Sequence, residues 1–172
     1  MEELVEKAKN KDEKAFDELI LLVQKEIYLI AKTKLKNEDD IADAIQETIL
    51  LCYKNLSKLR DNKLFKTWLI KILINECNKI YKKRKKHNVS YEEKEIDNYF
   101  GSEDITLENV SFDMLIKKLK EEEKLILTLY YYSGYSTKEI SKIVKINEGT
   151  IRSKISRAKE KLRNQYEGGY YE

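Results

Sequence analysis

Apolar residues in this chain recur every three or four positions over long stretches, and no proline interrupts them. Ile41, Ile45, Ile49, Cys52 and Leu56 advance in steps of four, four, three and four. At ~3.6 residues per turn, those steps stack the five side chains on one side of a helix. No stretch shows the strict alternation of a half-buried strand. Proline is the residue that most reliably ends a helix, so its absence leaves helices of full length possible. The expected fold class is all-α.

The same periodicity divides the 172 residues into two blocks. In the first, Leu4 and Ala8 mark a short helix. Asn10 or Asp12 then caps a longer one with Phe16, Leu19, Ile20, Val23, Ile27, Leu29 and Ile30 inward. Asn37 or Asp39 starts the helix of the Ile41 stripe. A break over 57–63 precedes a long helix over 64–86, with Phe65, Leu69, Ile72, Leu73 and Ile80 inward. Between 87 and 109 the periodicity stops, and Glu92, Glu93, Glu95, Asp97, Glu103, Asp104 and Glu108 collect. That composition reads as a flexible acidic linker. The expected domains are therefore two small helical units, 1–86 and 110–165, with a disordered tail over 166–172.

The formal net charge of +3 conceals a division. Residues 1–86 hold 20 Lys and Arg against 15 Asp and Glu, residues 87–109 hold 1 against 7, and residues 110–172 hold 13 against 9. Basic blocks are the electrostatic footprint of a polyanion partner, because each neutralised phosphate releases condensed counterions. A run such as Lys82-Lys83-Arg84-Lys85-Lys86 is equally a solvated helix end.

In the second block, Phe112, Leu115, Ile116 and Leu119 mark one helix, and Leu125, Ile126, Leu129 and Tyr130 another. Ser136-Thr137-Lys138-Glu139 has the form of a capping box, with serine and glutamate satisfying each other's amides across the first turn. Ile140, Ile143 and Val144 follow, then a gap at 145–147, then Ile151, Ile155, Ala158 and Leu162 in steps of four, three and four. Short helix, tight turn, longer helix is the helix-turn-helix pattern. Arg152, Ser153, Ser156 and Arg157 lie away from its apolar stripe. Arginine grips guanine bidentately, and the N-terminal part of such a helix enters the major groove. Lys138, Lys154 and Lys159 are placed to hold the phosphate backbone. The plainer alternative is an amphipathic C-terminal helix.

Two further faces stand out. Lys71, Asn75, Asn78 and Lys82 share roughly 60° of the long helix's circumference, with Lys79 beside them; amides among lysines suit base edges beside phosphates, or a solvated face. Trp68 at the rim is either core or a wedge against an unstacked base. The helix of the Ile41 stripe carries Asp43, Gln46, Glu47 and Lys54 opposite that stripe, around the apolar Leu50. Acids repel DNA, so a partner on this face is a protein with basic residues.

Other chemistries find little support. Two cysteines and one histidine supply neither a disulfide framework nor a zinc set, so Cys52 and Cys77 are expected as small buried apolar groups. No apolar run approaches the ~20 residues of a membrane span, and Met1-Glu2-Glu3 does not begin a signal segment. A cytoplasmic protein is expected. No phosphate loop, HExxH or nucleophile constellation appears, so no enzyme, cofactor or metal is expected. Tyr130, Tyr131, Tyr132 and Tyr135 are expected to pack.

The sequence resembles the sigma-70 family of bacterial RNA polymerase specificity factors, in its small extracytoplasmic-function group. One stretch is Asp40-Ile41-Ala42-Asp43-Ala44-Ile45-Gln46-Glu47-Thr48, then Tyr53, then Phe65-Lys66-Thr67-Trp68-Leu69-Ile70-Lys71-Ile72 and Asn75. The other is Gly134-Tyr135-Ser136-Thr137-Lys138-Glu139-Ile140, then Glu148 through Leu162. The resemblance implies that Asp43, Gln46, Glu47 and Leu50 dock on the clamp helices of the largest core polymerase subunit. It implies that the loop with Lys58, Arg60, Asp61, Asn62 and Lys63, and the helix face with Trp68, Lys71, Asn75, Asn78, Lys79 and Lys82, open and read the minus-ten element. Lys138, Thr150, Arg152, Ser153, Lys154, Ser156 and Arg157 match positions that read the minus-thirty-five element. Family members are commonly restrained by an anti-sigma factor, possibly membrane-anchored, which becomes an expected partner beside core polymerase and promoter DNA. The sequence departs from many relatives at Ile49, where they have an aromatic, and at Lys120, where they have proline. The 23 residues of the 87–109 segment leave no room for a third sigma domain. The competing reading is a helix-turn-helix regulator that binds DNA without core polymerase.

Overall fold

The computed structural model describes residues 1–86, 116 and 119–168. The acidic segment 87–109 lies outside them. So does the helix expected around Phe112, apart from Ile116 and Leu119, both of which are buried. Among the described residues the chain is helical, with no strand: α1 (Glu2–Lys9), α2 (Glu13–Lys32), α3 (Glu38–Asn55), α4 (Phe65–Lys86), α5 (Glu121–Leu127), α6 (Thr137–Val144) and α7 (Glu148–Gly168).

The helix starts are set by local chemistry. Asp12 accepts a hydrogen bond from the Ala15 amide at 3.0 Å and opens α2. Asn37 accepts from the amides of Asp39 and Asp40 at 2.8 and 3.2 Å and opens α3. Such caps satisfy amides that have no partner within the helix and contribute about 0.5–2 kcal/mol each. The acids Glu38, Asp39 and Asp40 in the first turn of α3 add a favourable interaction with its dipole. Between α3 and α4 the chain makes two 3-10 turns, Leu56–Lys58 and Asn62–Leu64, where a non-helical break was expected.

Helices α1 to α4 pack around Val5, Leu19, Val23, Ile27, Ile30, Ile41, Cys52, Phe65, Leu69 and Leu73. The buried side of α3 is rotated from the expected stripe. Ala44 and Thr48 are fully buried, whereas Ile45 and Ile49 are partly exposed at the margin of the core. Alanine allows close approach to the neighbouring helices, and the Thr48 hydroxyl donates to the Ala44 carbonyl at 2.6 Å, so no polar group is stranded. On α4, Ile70, Ile74 and Cys77 are buried while Ile72 and Ile80 are partly exposed. The reason is that α4 is covered on several sides, by α3, by α2 and by α6.

In the second half, α5 continues into one π-helical turn, Thr128–Tyr132. Gly134, at φ 73°, takes a left-handed conformation that glycine adopts without steric cost, and α6 follows. Lys145 then ends α6 in the left-handed region at φ 59°. Helix α7 continues to Gly168, three residues past the point where a disordered tail was expected to begin.

Candidate nucleic-acid and polymerase interfaces

The helix-turn-helix is built as its sequence demands. The Ser136 hydroxyl accepts from the Glu139 amide at 3.3 Å, and the Glu139 carboxylate accepts from the Ser136 amide at 2.9 Å. The Ser136 hydroxyl also donates to the Glu139 carboxylate at 2.6 Å, and this bond first, the Ser136 amide second, holds the Glu139 carboxyl below its usual range. At the start of α7, Asn147 accepts from the Gly149 amide at 2.8 Å. Glu148 joins the two helices by accepting from Thr137 at 2.8 Å and from Arg152 at 2.7 Å. Its carboxyl is lowered accordingly, first by Thr137 and then by Arg152.

Six of the seven residues expected to read the minus-thirty-five element are exposed. Arg152, Ser153, Ser156 and Arg157 are exposed along α7, with Thr150 exposed at its start and Lys138 exposed on α6. Arg157 rests on Ser153, its Nε 3.3 Å from the Ser153 carbonyl. Lys154 departs from expectation. Its side chain is 24 % exposed and bonds to Glu122 of α5 at 2.6 Å, tying α7 to α5 in the free protein. Lys161 pairs with Glu123 at 2.6 Å in the same way. Lys159, also expected at the backbone, lies over the rings of Tyr131 and Tyr130, 5.3 and 5.9 Å from their centroids.

The polar stripe of α4 is present, with Asn75 and Lys82 exposed and Lys71 and Asn78 half-buried. Lys79 is exposed, but its ammonium is held by the buried Glu76 carboxylate at 2.8 and 3.0 Å. It therefore serves first as the partner of a buried acid. Trp68 packs partly against the core, tilted toward Phe65 at 6.5 Å between centroids, and keeps an exposed portion at the rim of the stripe. In the preceding loop, Arg60 and Lys63 are exposed, and Lys58 bonds to Asn55 at 2.7 Å. Asp61 caps the second turn by accepting from the Lys63 amide at 3.0 Å. Asn62 is taken up by α1, donating to Glu6 at 2.8 Å and accepting from Lys9 at 2.9 Å. These bonds fix the loop to α1 in the free protein.

On α3, Asp43, Gln46, Glu47 and Leu50 are all exposed, Leu50 by 43 %. Beside them runs a groove of about 450 Å³ between α2 and α3, lined by Glu13, Phe16, Asp17, Gln46, Ile49, Leu50 and Tyr53. Phe16 meets Tyr53 edge to face, with centroids 5.0 Å apart. The sequence reading missed Glu13, Phe16, Asp17 and Tyr53 at this site. Gln46, Ile49, Leu50 and Tyr53 follow three, one and three residues apart, a second helical seam that the stronger core stripe obscured.

Among the described residues no group of histidine, cysteine, aspartate and glutamate is arranged to hold a metal. No described helix is long and apolar enough to cross a membrane. The thiols of Cys52 and Cys77 are buried and pushed up to about 12 by that burial.

Comparison with known proteins agrees with this geometry. The family model for sigma-70 region 2 matches residues 19–87, and that for sigma-70 region 4 matches residues 109–162. The chain is 29 % identical to the ECF RNA polymerase sigma-E factor of Haemophilus influenzae, over 94 % of this chain and 93 % of that one. It is 26 % identical to the RNA polymerase sigma-H factor of Pseudomonas aeruginosa, over 94 % and 91 %. Among solved structures, the sigma factor RpoE of Bartonella quintana, in complex with the anti-sigma factor NepR, superposes with a TM-score of 0.71 at 25 % identity, over 90 % of this chain and 98 % of that one. CnrH, in complex with the cytosolic domain of CnrY, shares the fold with a TM-score of 0.69 at 19 % identity, over 97 % of each chain. Two region models in chain order, and relatives matched along nearly their whole length, establish that the chain belongs to the sigma-70 family, as an RNA polymerase sigma factor of the extracytoplasmic-function group.

Proposed function

We propose that this sigma factor divides its work among three faces. The groove of α2 and α3, with Asp43, Gln46, Glu47 and Leu50 at its rim, docks on basic and apolar side chains of the core polymerase clamp. The α4 stripe of Lys71, Asn75, Asn78 and Lys82, with Trp68, Arg60 and Lys63, holds the melted minus-ten element. The α7 face of Arg152, Ser153, Ser156 and Arg157, with Lys138 and Thr150, reads the minus-thirty-five element as duplex. The protein works in the cytoplasm and catalyses no reaction itself. Melting needs no covalent chemistry, because binding an unstacked base offsets the few kcal/mol of opening a step. An anti-sigma protein is a proposed partner, by analogy with the complexes that RpoE and CnrH form.

The observation that carries this reading is the groove. An apolar groove flanked by Glu13 and Asp17 suits a protein partner with apolar and basic side chains. A mobility-shift experiment on promoter duplex tests it. The chain alone binds weakly, and the chain with core polymerase forms a stable complex. Leu50→Lys removes an apolar anchor at a rim and costs the holoenzyme about 2 kcal/mol or more. Tight duplex binding that ignores core polymerase would favour the conventional regulator.

A further inference from the structure

Asn62, at the start of the second 3-10 turn between α3 and α4, has both ends of its amide held by α1. Its Nδ2 donates to Glu6 Oε2 at 2.8 Å and, at 3.5 Å, to the Glu2 carbonyl. Its Oδ1 accepts from Lys9 Nζ at 2.9 Å. A carboxylate can only accept and an ammonium can only donate, so the two partners fix which way the amide faces. Hydrogen bonds with one charged partner are also the stronger class. Lys9 gives up most of its hydration to make its bond: its side chain is 17 % exposed, with Glu6 4.0 Å from its ammonium.

The core does not require this clamp. Helix α1 is seated by Val5 and Ala8, and the loop is seated by Leu56, Leu59 and Phe65, all of them buried. Asn62 adds a fastening between Leu59 and Phe65, in the stretch where Arg60, Asp61, Lys63 and Leu64 are exposed. Arg60 and Lys63 therefore stand on a backbone that is held on both sides of them and between them.

A loop that receives an unstacked base binds it more tightly when its shape is set beforehand, because the entropy of ordering the loop is then not taken from binding. Helix α1 is placed to do this. It packs against both 3-10 turns of the loop. It also lies ahead of residues 19–87, which match the sigma-70 region 2 model, so that match gives it no role.

We infer that α1 is a brace for the minus-ten loop, with Glu6 and Lys9 as positioning residues: through the Asn62 amide they hold the loop in the shape that receives a base of the melted strand. The inference rests on the assignment of that loop, with Arg60 and Lys63, to the minus-ten element. Neither Glu6 nor Lys9 touches DNA in this account.

Binding of holoenzyme to a synthetic single strand tests this. The strand carries the minus-ten sequence of a mapped transcript start, and each base in turn is replaced by the other three. Glu6→Ala, Lys9→Ala and Asn62→Ala each reduce discrimination at one base, the same in all three, by about fivefold or more. Combining Lys9→Ala with Asn62→Ala gives no further loss, as expected of groups that act as a unit. Affinity for core polymerase and preference for the duplex minus-thirty-five element stay at wild-type values. Asn62→Asp sets a carboxylate against Glu6 and loses discrimination at that base. Adding Glu6→Gln restores it, because the introduced amide donates to the introduced carboxylate. A clamp that served stability alone would instead lower the melting temperature and weaken binding equally at every base, and that result would overturn the inference. Arg60→Ala separates the brace from the assignment beneath it. If Arg60→Ala blunts discrimination at one base while the folded Glu6, Lys9 and Asn62 variants keep it, the brace is overturned and the loop assignment stands. If all four variants keep wild-type discrimination, the loop assignment fails and the brace falls with it.

Discussion

Arg84, near the C-terminal end of α4, grips Asp40, in the first turn of α3, with both donors: Nη2 lies 2.6 Å from Oδ1 and Nε lies 2.5 Å from Oδ2. The Asp40 side chain is 11 % exposed and that of Arg84 51 %. A bidentate pair fixes geometry as well as charge, and here it ties the C-terminal end of α4 to the first turn of α3. Arg84 thus differs from the lysines around it in the basic run. Arg84→Ala should lower the stability of the chain by about 1–3 kcal/mol, read from urea unfolding. It should leave the salt dependence of promoter binding nearly unchanged. A large change in salt slope with unaltered stability would show that Arg84 serves phosphate instead.

The same logic separates Lys79 from Lys82. Lys82 is exposed on the stripe, so Lys82→Ala should remove one phosphate contact and reduce the slope of log K against log salt by about 0.7–0.9. Lys79 is committed to Glu76. Lys79→Ala should leave the slope almost unchanged and instead destabilise the bundle, because a buried carboxylate loses its partner. Holoenzyme titrations over a range of salt concentrations read both effects.

On α7, Arg157→Ala should cost about 1–3 kcal/mol of minus-thirty-five recognition and relax the preference at one base pair. Arg152→Ala should cost less, because in the free protein that guanidinium must first leave Glu148. Lys154→Ala should affect stability more than recognition, through the loss of its pair with Glu122. Competition binding with single-base-pair variants of the element orders the three.

The C-terminal half should also be acid-sensitive. Glu123, Glu139 and Glu148 all have carboxyls below the ordinary value of 4.5, held there by Lys161, by Ser136, and by Thr137 with Arg152 respectively. A carboxyl whose folded pKa is depressed adds stability that is fully present above its unfolded pKa and is lost as pH falls through the folded one. Thermal melts should therefore hold steady at neutral pH and drop as pH passes below about 4.5. Glu139→Gln should flatten that drop and lower stability at neutral pH. A melt that rises on acidification through this range would contradict the assignment.

What was legible in the sequence was local. Asp12, Asn37 and Ser136 cap helices through bonds to residues two or three positions away, so the pattern of types is enough to find them. The apolar steps of α2 and α7 give their buried sides for the same reason. What depends on distant parts of the chain was not legible. Asn62 meets Glu6 and Lys154 meets Glu122 only after folding, so the structural bonds of these two side chains could not be read from their neighbours in sequence. The rotation of α3 onto Ala44 and Thr48 depends on packing against two other helices, and that same rotation turns Ile49 toward the Phe16 and Tyr53 groove. The contact of α6 with α4 leaves no trace in either block taken alone.

Run-off transcription on fragmented genomic DNA, with and without bacterial core polymerase and with transcript starts sequenced, tests whether the chain directs core polymerase to promoters. A sigma factor gives discrete starts that need both the chain and core polymerase and that share two upstream elements, centred near minus thirty-five and minus ten. Starts unaffected by the chain, together with tight binding to duplex sites in the absence of core polymerase, would contradict it.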